Sequence, residues 1–332
     1  MCLKARLSCA LLLGLLAACD GGSGDEHDPP DLGPNPQRWT VLAGDIAVPG
    51  AGGAIAFSPT RTLRVGSTLR TYFVRPSDGR VVFAESTDGR DLSKVTPTNL
   101  QRVNTQGDLR ARLQHPTVLQ RRDGKYLMLY DYSIDLARQH ATRIVAMTSD
   151  DGVTWANPVQ LPATDLDKNP EGFYFQGVFG LVNLPDGSIR AYYTTTGRAI
   201  GSARSTDGGV TWAQDPGYRL ISGKQSTGFG DPVAIVDTDG TILLYFGYVL
   251  DFNCMNRSGT AQGCVPIRLA RSTDGLNFSI YSGNVLTPGS GPIQLADPDV
   301  FVGLDGRWRM LFGEAVGPGV TSARLRYAER EQ

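Results

Sequence analysis

The chain has 332 residues, of which 41% are hydrophobic and 20% charged, and 32 Lys and Arg against 33 Asp and Glu give a formal net charge of −1. That balance supplies no field strong enough to hold a polyanion, so nucleic acid is not an expected partner. With 40 Gly and 20 Pro, the composition points to many turns and away from long helices.

Lys4 and Arg6 precede an apolar run, Ala10 to Ala18, that is too short to span a bilayer as a mature helix, so residues 1–18 read as a signal peptide. The run ends in Leu16-Ala17-Ala18-Cys19, which resembles the lipobox of bacterial lipoproteins. The resemblance implies that Cys19 is lipidated and becomes the new N-terminus. The protein would then sit in the bacterial cell envelope, periplasmic or on the outer surface, held to the membrane by its lipid. Residues 19–38 are polar and rich in Gly and Pro, and read as a flexible tether before a folded body over 39–332. Cys2 and Cys9 leave with the signal peptide. Cys254 and Cys264 remain in the body of an exported chain with nine residues between them, and are expected to form a disulfide.

The body repeats itself. Ser86-Thr87-Asp88-Gly89, Ser149-Asp150-Asp151-Gly152, Ser205-Thr206-Asp207-Gly208 and Ser272-Thr273-Asp274-Gly275 share one core, and their serines stand 63, 56 and 67 residues apart. That spacing is regular enough to mark a structural repeat. Upstream of the later cores, Asp123-Gly124, Asp186-Gly187 and Asp239-Gly240 each separate two apolar runs, and Asp305-Gly306 does the same near the end. Such dipeptides are strong hairpin signals, because both residues tolerate the positive φ of tight turns. One unit is therefore strand, Asp-Gly turn, strand, loop, strand, Ser-x-Asp-Gly turn, strand, which is a propeller blade. Innermost strands are expected at Ile55-Ala56-Phe57, Thr117-Val118-Leu119, Val178 to Leu181, Val233 to Val236 and Val300-Phe301-Val302. The fold class is thus all-β, a five-bladed propeller of four-stranded antiparallel blades, with a six-bladed sialidase-like ring as the alternative. The last unit lacks a fourth strand, which Trp39-Thr40-Val41-Leu42 is placed to supply.

The pattern completed from Ser205 to Trp212 resembles the Asp-box of sialidases and related propellers, which assigns these aspartates to turns and not to chemistry. Function is expected where the inner strands begin, at His115-Pro116, Gln176-Gly177, Asp231-Pro232 and Asp297-Pro298. These starts, followed by apolar strands and Asp-Gly hairpins, look like the five-bladed glycoside hydrolases that act on arabinan, xylan or fructan. The resemblance implies a carbohydrate ligand or substrate and two carboxyl groups flanking a glycosidic bond, one acting as acid. Asp231 and Asp297 are the candidates for part of that set, with Glu171, beside Phe173 and Tyr174, as the acid. His115, Gln176, Arg112 and Tyr248 are the candidate substrate-binding residues. Blade one departs from the hydrolase pattern, since Gly50 to Ala54 holds no carboxylate, and only Asp45 lies close by. Cleavage and simple binding of a glycan therefore both stay open. Three histidines in no zinc spacing suggest no metal site and no cofactor, apart from a structural ion on the propeller axis, and the protein is expected to be a monomer.

Overall fold

The computed structural model describes residues 29–331, apart from 52–54, 57–59, 104–107, 109–112, 134–141, 161–175, 196–198, 225–226, 252–253, 255–262 and 317–321. Two short strands come first, β1 (Trp39–Val41) and β2 (Ile55–Ala56). Blade one is β3 (Thr60–Val65), β4 (Thr68–Val74), β5 (Arg80–Ser86) and β6 (Val95–Gln101). Blade two is β7 (Gln114–Gln120), β8 (Tyr126–Ser133), β9 (Thr142–Ser149) and β10 (Ala156–Gln160). Blade three is β11 (Gln176–Asn183), β12 (Ile189–Thr195), β13 (Ala199–Ser205) and β14 (Ala213–Gln214), with β15 (Leu220–Ile221) also on β13. Blade four is β16 (Gly228–Val236), β17 (Ile242–Val249), β18 (Ile267–Ser272) and β19 (Ser279–Ile280). Blade five is β20 (Ile293–Val302), β21 (Trp308–Val316) and β22 (Ser322–Arg330), completed by β1 in antiparallel pairing with β22. Strands from the two ends of the body thus share one sheet, which closes the ring and covers an edge that would otherwise seek a partner.

Innermost strands pack in cyclic order, β3 on β7, β7 on β11, β11 on β16, β16 on β20 and β20 back on β3. Five blades therefore surround one axis, and the six-bladed alternative is excluded. Five hydrophobic cores fill the five seams. Phe73 packs with Leu311 and Leu325 toward blade five, while its neighbour Tyr72 packs with Met128 and Trp155 toward blade two. Both faces of the middle strands are thus buried, which is why Val81-Val82-Phe83-Ala84 reads as one apolar run without alternation.

The Ser-x-Asp-Gly segments turn between the third and fourth strands. Ser149 Oγ accepts the Gly152 N–H at 2.9 Å, and Asp151 Oδ1 accepts the N–H groups of Val153 and Thr154 at 2.7 Å. Ser205 and Asp207, and Ser272 and Asp274, repeat the arrangement. The carboxylates are consumed by backbone donors, and this holds Asp151 down at about 2. A tyrosine from the preceding blade then reaches each of three turns: Tyr72 Oη donates to Gly152 O, Tyr192 to Gly275 O and Tyr327 to Asp88 O, at 2.9–3.0 Å.

Two features differ from expectation. Ile55-Ala56 is not an innermost strand: it pairs in parallel with β22, and blade one begins at Thr60. The misreading has a simple cause, since blade one closes its first hairpin at Gly66-Ser67 and has no Asp-Gly to count back from. Residues 30–37, read as tether, lie against blade four. Ile280 N–H donates to Pro30 O and Ser282 N–H to Gly33 O, while Tyr245 Oη donates to Gln37 Oε1 at 2.7 Å.

Candidate functional site

The first strand of a blade starts at one end of the ring, and both kinds of turn lie at the other. At four of these starts the sheet is bulged, on β11 between Gln176 and Phe179, and at the other three in one shared form. Pairing passes from Gln114 opposite Asp131 to Thr117 opposite Leu129, from Gly230 opposite Gly247 to Val233 opposite Tyr245, and from Ala296 opposite Gly313 to Asp299 opposite Leu311. One extra residue is inserted each time, and the inserted X-Pro pairs are His115-Pro116, Asp231-Pro232 and Asp297-Pro298. Proline lacks the N–H that the ladder would need and crowds a right-handed α conformation at the residue before it. His115, Asp231 and Asp297 accordingly stand at φ 46°, 51° and 49°. Asp and His are among the residues that tolerate this left-handed region, where most others lose about 1–2 kcal/mol. Strain of this kind, repeated at three equivalent positions around one axis, marks a functional surface more than a scaffold.

The three side chains act on one another. His115 Nδ1 lies 2.9 Å from Asp131 Oδ1, and the ring also feels the charges of Asp297 and Asp231. Burial alone would push the imidazole down, but these three carboxylates outweigh it and raise His115 to about 9. Asp297 is raised to about 8, first by burial and then by the facing charge of Asp231. Burial raises Asp231 as well, but His115 and the Asp297 N–H, which donates to its carboxylate, pull the other way. Asp231 N–H in turn donates to Thr194 Oγ1 at 3.1 Å. The site is a half-buried cluster in which an imidazole stands among carboxyl groups and both aspartates are pushed up by their surroundings.

Below Asp297, a second buried group joins blades five and one. Asp299 is 0% exposed and accepts from Thr62 Oγ1 at 2.7 Å, Thr62 meets Thr71 Oγ1 at 3.0 Å, and Arg61 Nη1 is 3.7 Å from Asp299 Oδ1. Blade one thus offers Thr60-Arg61-Thr62 to the axis region and, among its described inner-strand residues, no carboxylate. Asp45 does not take that place: it pairs with Arg324 at 3.7 Å and Arg326 at 3.6 Å on β22, the third strand from the axis.

His115, Asp231 and Asp297 are therefore brought together. Gln176 lies on β11 with its backbone opposite Thr194, but it stands ten residues before its Asp-Gly aspartate, where the other three stand eight before theirs. Tyr248 is packed, with the Arg268 guanidinium 4.1 Å above its ring and Phe229 at 5.5 Å. Cys254 and Cys264 are bonded on the β17–β18 connection, at the same end of the ring as the cluster. Glu171, Arg112 and Cys19 lie outside the described residues. Asp131 and Asp299 were missed by the sequence reading, although Asp131 is a lone carboxylate within an apolar strand, Leu127-Met128-Leu129-Tyr130-Asp131, and Asp299 follows Asp297 by two residues. Among the described residues, no group of three or more His, Cys, Asp or Glu side chains is arranged to hold a metal ion.

No protein-family model matches the chain, and no curated protein matches it in sequence. Solved structures do match. A thermostable family-43 glycoside hydrolase is similar with a TM-score of 0.59 at 17% identity, over 82% of this chain and 88% of that one. The endo-arabinase of Bacteroides thetaiotaomicron VPI-5482 gives 0.60 at 14% identity, over 86% and 97%. An alpha-L-arabinofuranosidase from Lactobacillus brevis gives 0.61 at 10% identity, over 82% and 90%. At these identities the likeness establishes that the chain has the fold of the five-bladed glycoside hydrolases.

Proposed function

We propose that the chain is an envelope-anchored, glycan-directed propeller that hydrolyses glycosidic bonds with carboxyl groups in its central funnel. The observation that carries this reading is the convergence of His115, Asp231 and Asp297 at three strained, equivalent strand starts, where burial and the charge of Asp231 push Asp297 up. Hydrolysis needs one carboxyl group that holds a proton at working pH and one that does not, and unequal environments separate two aspartates in this way. Asp297 gives its proton to the glycosidic oxygen as the carbon–oxygen bond breaks. Asp231, whose ionised form is favoured by the Asp297 N–H and by His115 against its burial, takes a proton from the water whose oxygen bonds to the anomeric carbon. Glu171 is kept as the third carboxyl group. Arabinans are the first substrates to try, because two of the similar structures are an arabinase and an arabinofuranosidase.

The test is turnover of arabinan, xylan, fructan and chromogenic glycosides by the full-length protein. Asp231→Asn and Asp297→Asn are expected to lower kcat by about 100-fold or more while leaving binding in place. A second reading, a glycan-binding propeller without catalysis, is favoured by the Thr60-Arg61-Thr62 start of blade one, which lacks a carboxylate. Binding without turnover at any pH would establish it. Anchoring through Cys19 is tested separately, by fatty-acid labelling that Cys19→Ala abolishes.

A further inference from the structure

His115 is bonded on one side and faces the funnel on the other. Its Nδ1 is 2.9 Å from Asp131, which is 3% exposed near the end of β8 and stands in the second strand of the same blade. A carboxylate buried in an apolar strand is costly unless paired, and the partner here is the imidazole. That bond fixes which ring nitrogen is engaged. Nδ1 belongs to Asp131, so Nε2 is the nitrogen left for a ligand.

We propose that Asp131 is a positioning residue of the funnel: by accepting from His115 Nδ1 it fixes the ring and aims Nε2–H at an oxygen of the sugar bound against Asp231 and Asp297. The proposal rests on the glycan-cleaving reading of the same funnel and adds to it the group that donates to the substrate. The charged groups facing His115 are Asp131 on β8, Asp297 on β20 and Asp231 on β16, and Asp131 is the one in direct contact. Losing the Asp131 charge removes the largest attraction on the imidazolium. It also frees the ring to turn. The same imidazolium lowers Asp231 and Asp297, so its loss spreads to both carboxyl groups.

The experiment is an NMR titration of the histidine rings in the full-length protein, with His115 identified by His115→Gln, run on wild type, Asp131→Asn and Asp131→Glu. In Asp131→Asn, the His115 midpoint is expected to fall by one pH unit or more. The kcat of glycan hydrolysis should drop more than KM rises, with the alkaline limb of its pH profile moving down together with the His115 midpoint. Asp131→Glu should restore most of both. A His115 midpoint unchanged in Asp131→Asn overturns the positioning role, whether or not the wild type turns over glycan. Absence of wild-type turnover overturns the hydrolase reading instead, so the two failures are distinguishable. Should Asp131→Asn not fold, the nitrogen shifts of wild-type His115 decide: a proton held on Nδ1 supports the bond, and an unprotonated Nδ1 below pH 8 overturns it.

Discussion

Asp231 accepts a hydrogen bond from the backbone N–H of Asp297, the residue that holds the same bulged, left-handed position in the next blade. Two half-buried carboxyl groups that face each other cannot both ionise cheaply, and the donated N–H, with the His115 charge, favours the ionised form of Asp231 against its burial. Burial raises both groups, and the charge of Asp231 raises Asp297 further.

The first expected outcome concerns stability against pH. The folded pKa of Asp297, about 8, lies above its unfolded value, so its contribution is fully present below the unfolded pKa of about 3.9 and is lost as pH rises through about 8. His115, raised to about 9, contributes in the same sense, present below about 6.5 and lost as pH rises through about 9. Urea unfolding of the wild type should therefore show stability falling from pH 5 to pH 9, by at most about 1.4 kcal/mol per pH unit for each group. In Asp297→Asn, the share of this slope carried by Asp297 should vanish, while the share carried by His115 above about pH 6.5 should remain. A flat wild-type profile over that range would contradict both assignments.

Substitutions at Asp297 should separate charge from backbone. Asparagine tolerates φ near 49° and removes the charge, so Asp297→Asn is expected to fold with unchanged or higher stability at pH 8. Asp297→Ala keeps the strain without a side chain suited to it, and should lose about 1–2 kcal/mol relative to Asn in chemical denaturation. Equal stability of the two variants would mean that the left-handed position is not held in solution.

The turns opposite the funnel should carry stability without activity. Tyr72→Phe, Tyr192→Phe and Tyr327→Phe each remove a hydrogen bond from one blade to the turn of the next, and each is expected to lose about 1–2 kcal/mol with kcat unchanged. Asp207→Ala should behave alike, since its carboxylate accepts the N–H groups of Val210 and Thr211 within its own turn. Turnover lost in proportion to stability would place these residues nearer the chemistry than the fold does.

The disulfide closes a short loop at the funnel end, with a sequence separation of 10. Its removal in Cys254→Ser/Cys264→Ser should lower stability by about 2–3 kcal/mol. Cys264 N–H donates to Ile293 O at the start of β20, four residues before Asp297, so the double variant should also raise KM. Unchanged KM would show that the loop is a staple alone.

How much of this was legible in the sequence follows from where the signals repeat. The Asp-Gly and Ser-x-Asp-Gly turns are local chemistry, and local chemistry recurs in each blade, so they gave five blades and the closure by Trp39–Val41. Blade one has Gly66-Ser67 in that place, and its inner strand was misplaced there and nowhere else. His115, Asp231 and Asp297 were visible because proline follows each. Asp131 was not, because a single aspartate in Leu127 to Tyr132 gains its meaning only when blade two folds and sets it opposite Gln114, beside His115. The docking of residues 30–37 was hidden for a different reason: those residues bury little of their own, and what holds them is backbone pairing with Ile280 and Ser282.

The central claim is that Asp231 and Asp297 share one proton near neutral pH, and a carbon-13 titration of the aspartate carboxyl groups in the full-length protein tests it most directly. A step near pH 8 that belongs to the pair is expected, moving down by one pH unit or more in Asp231→Asn. If both groups titrate near the ordinary aspartate value of about 3.9, the pair shares no proton and the account is wrong.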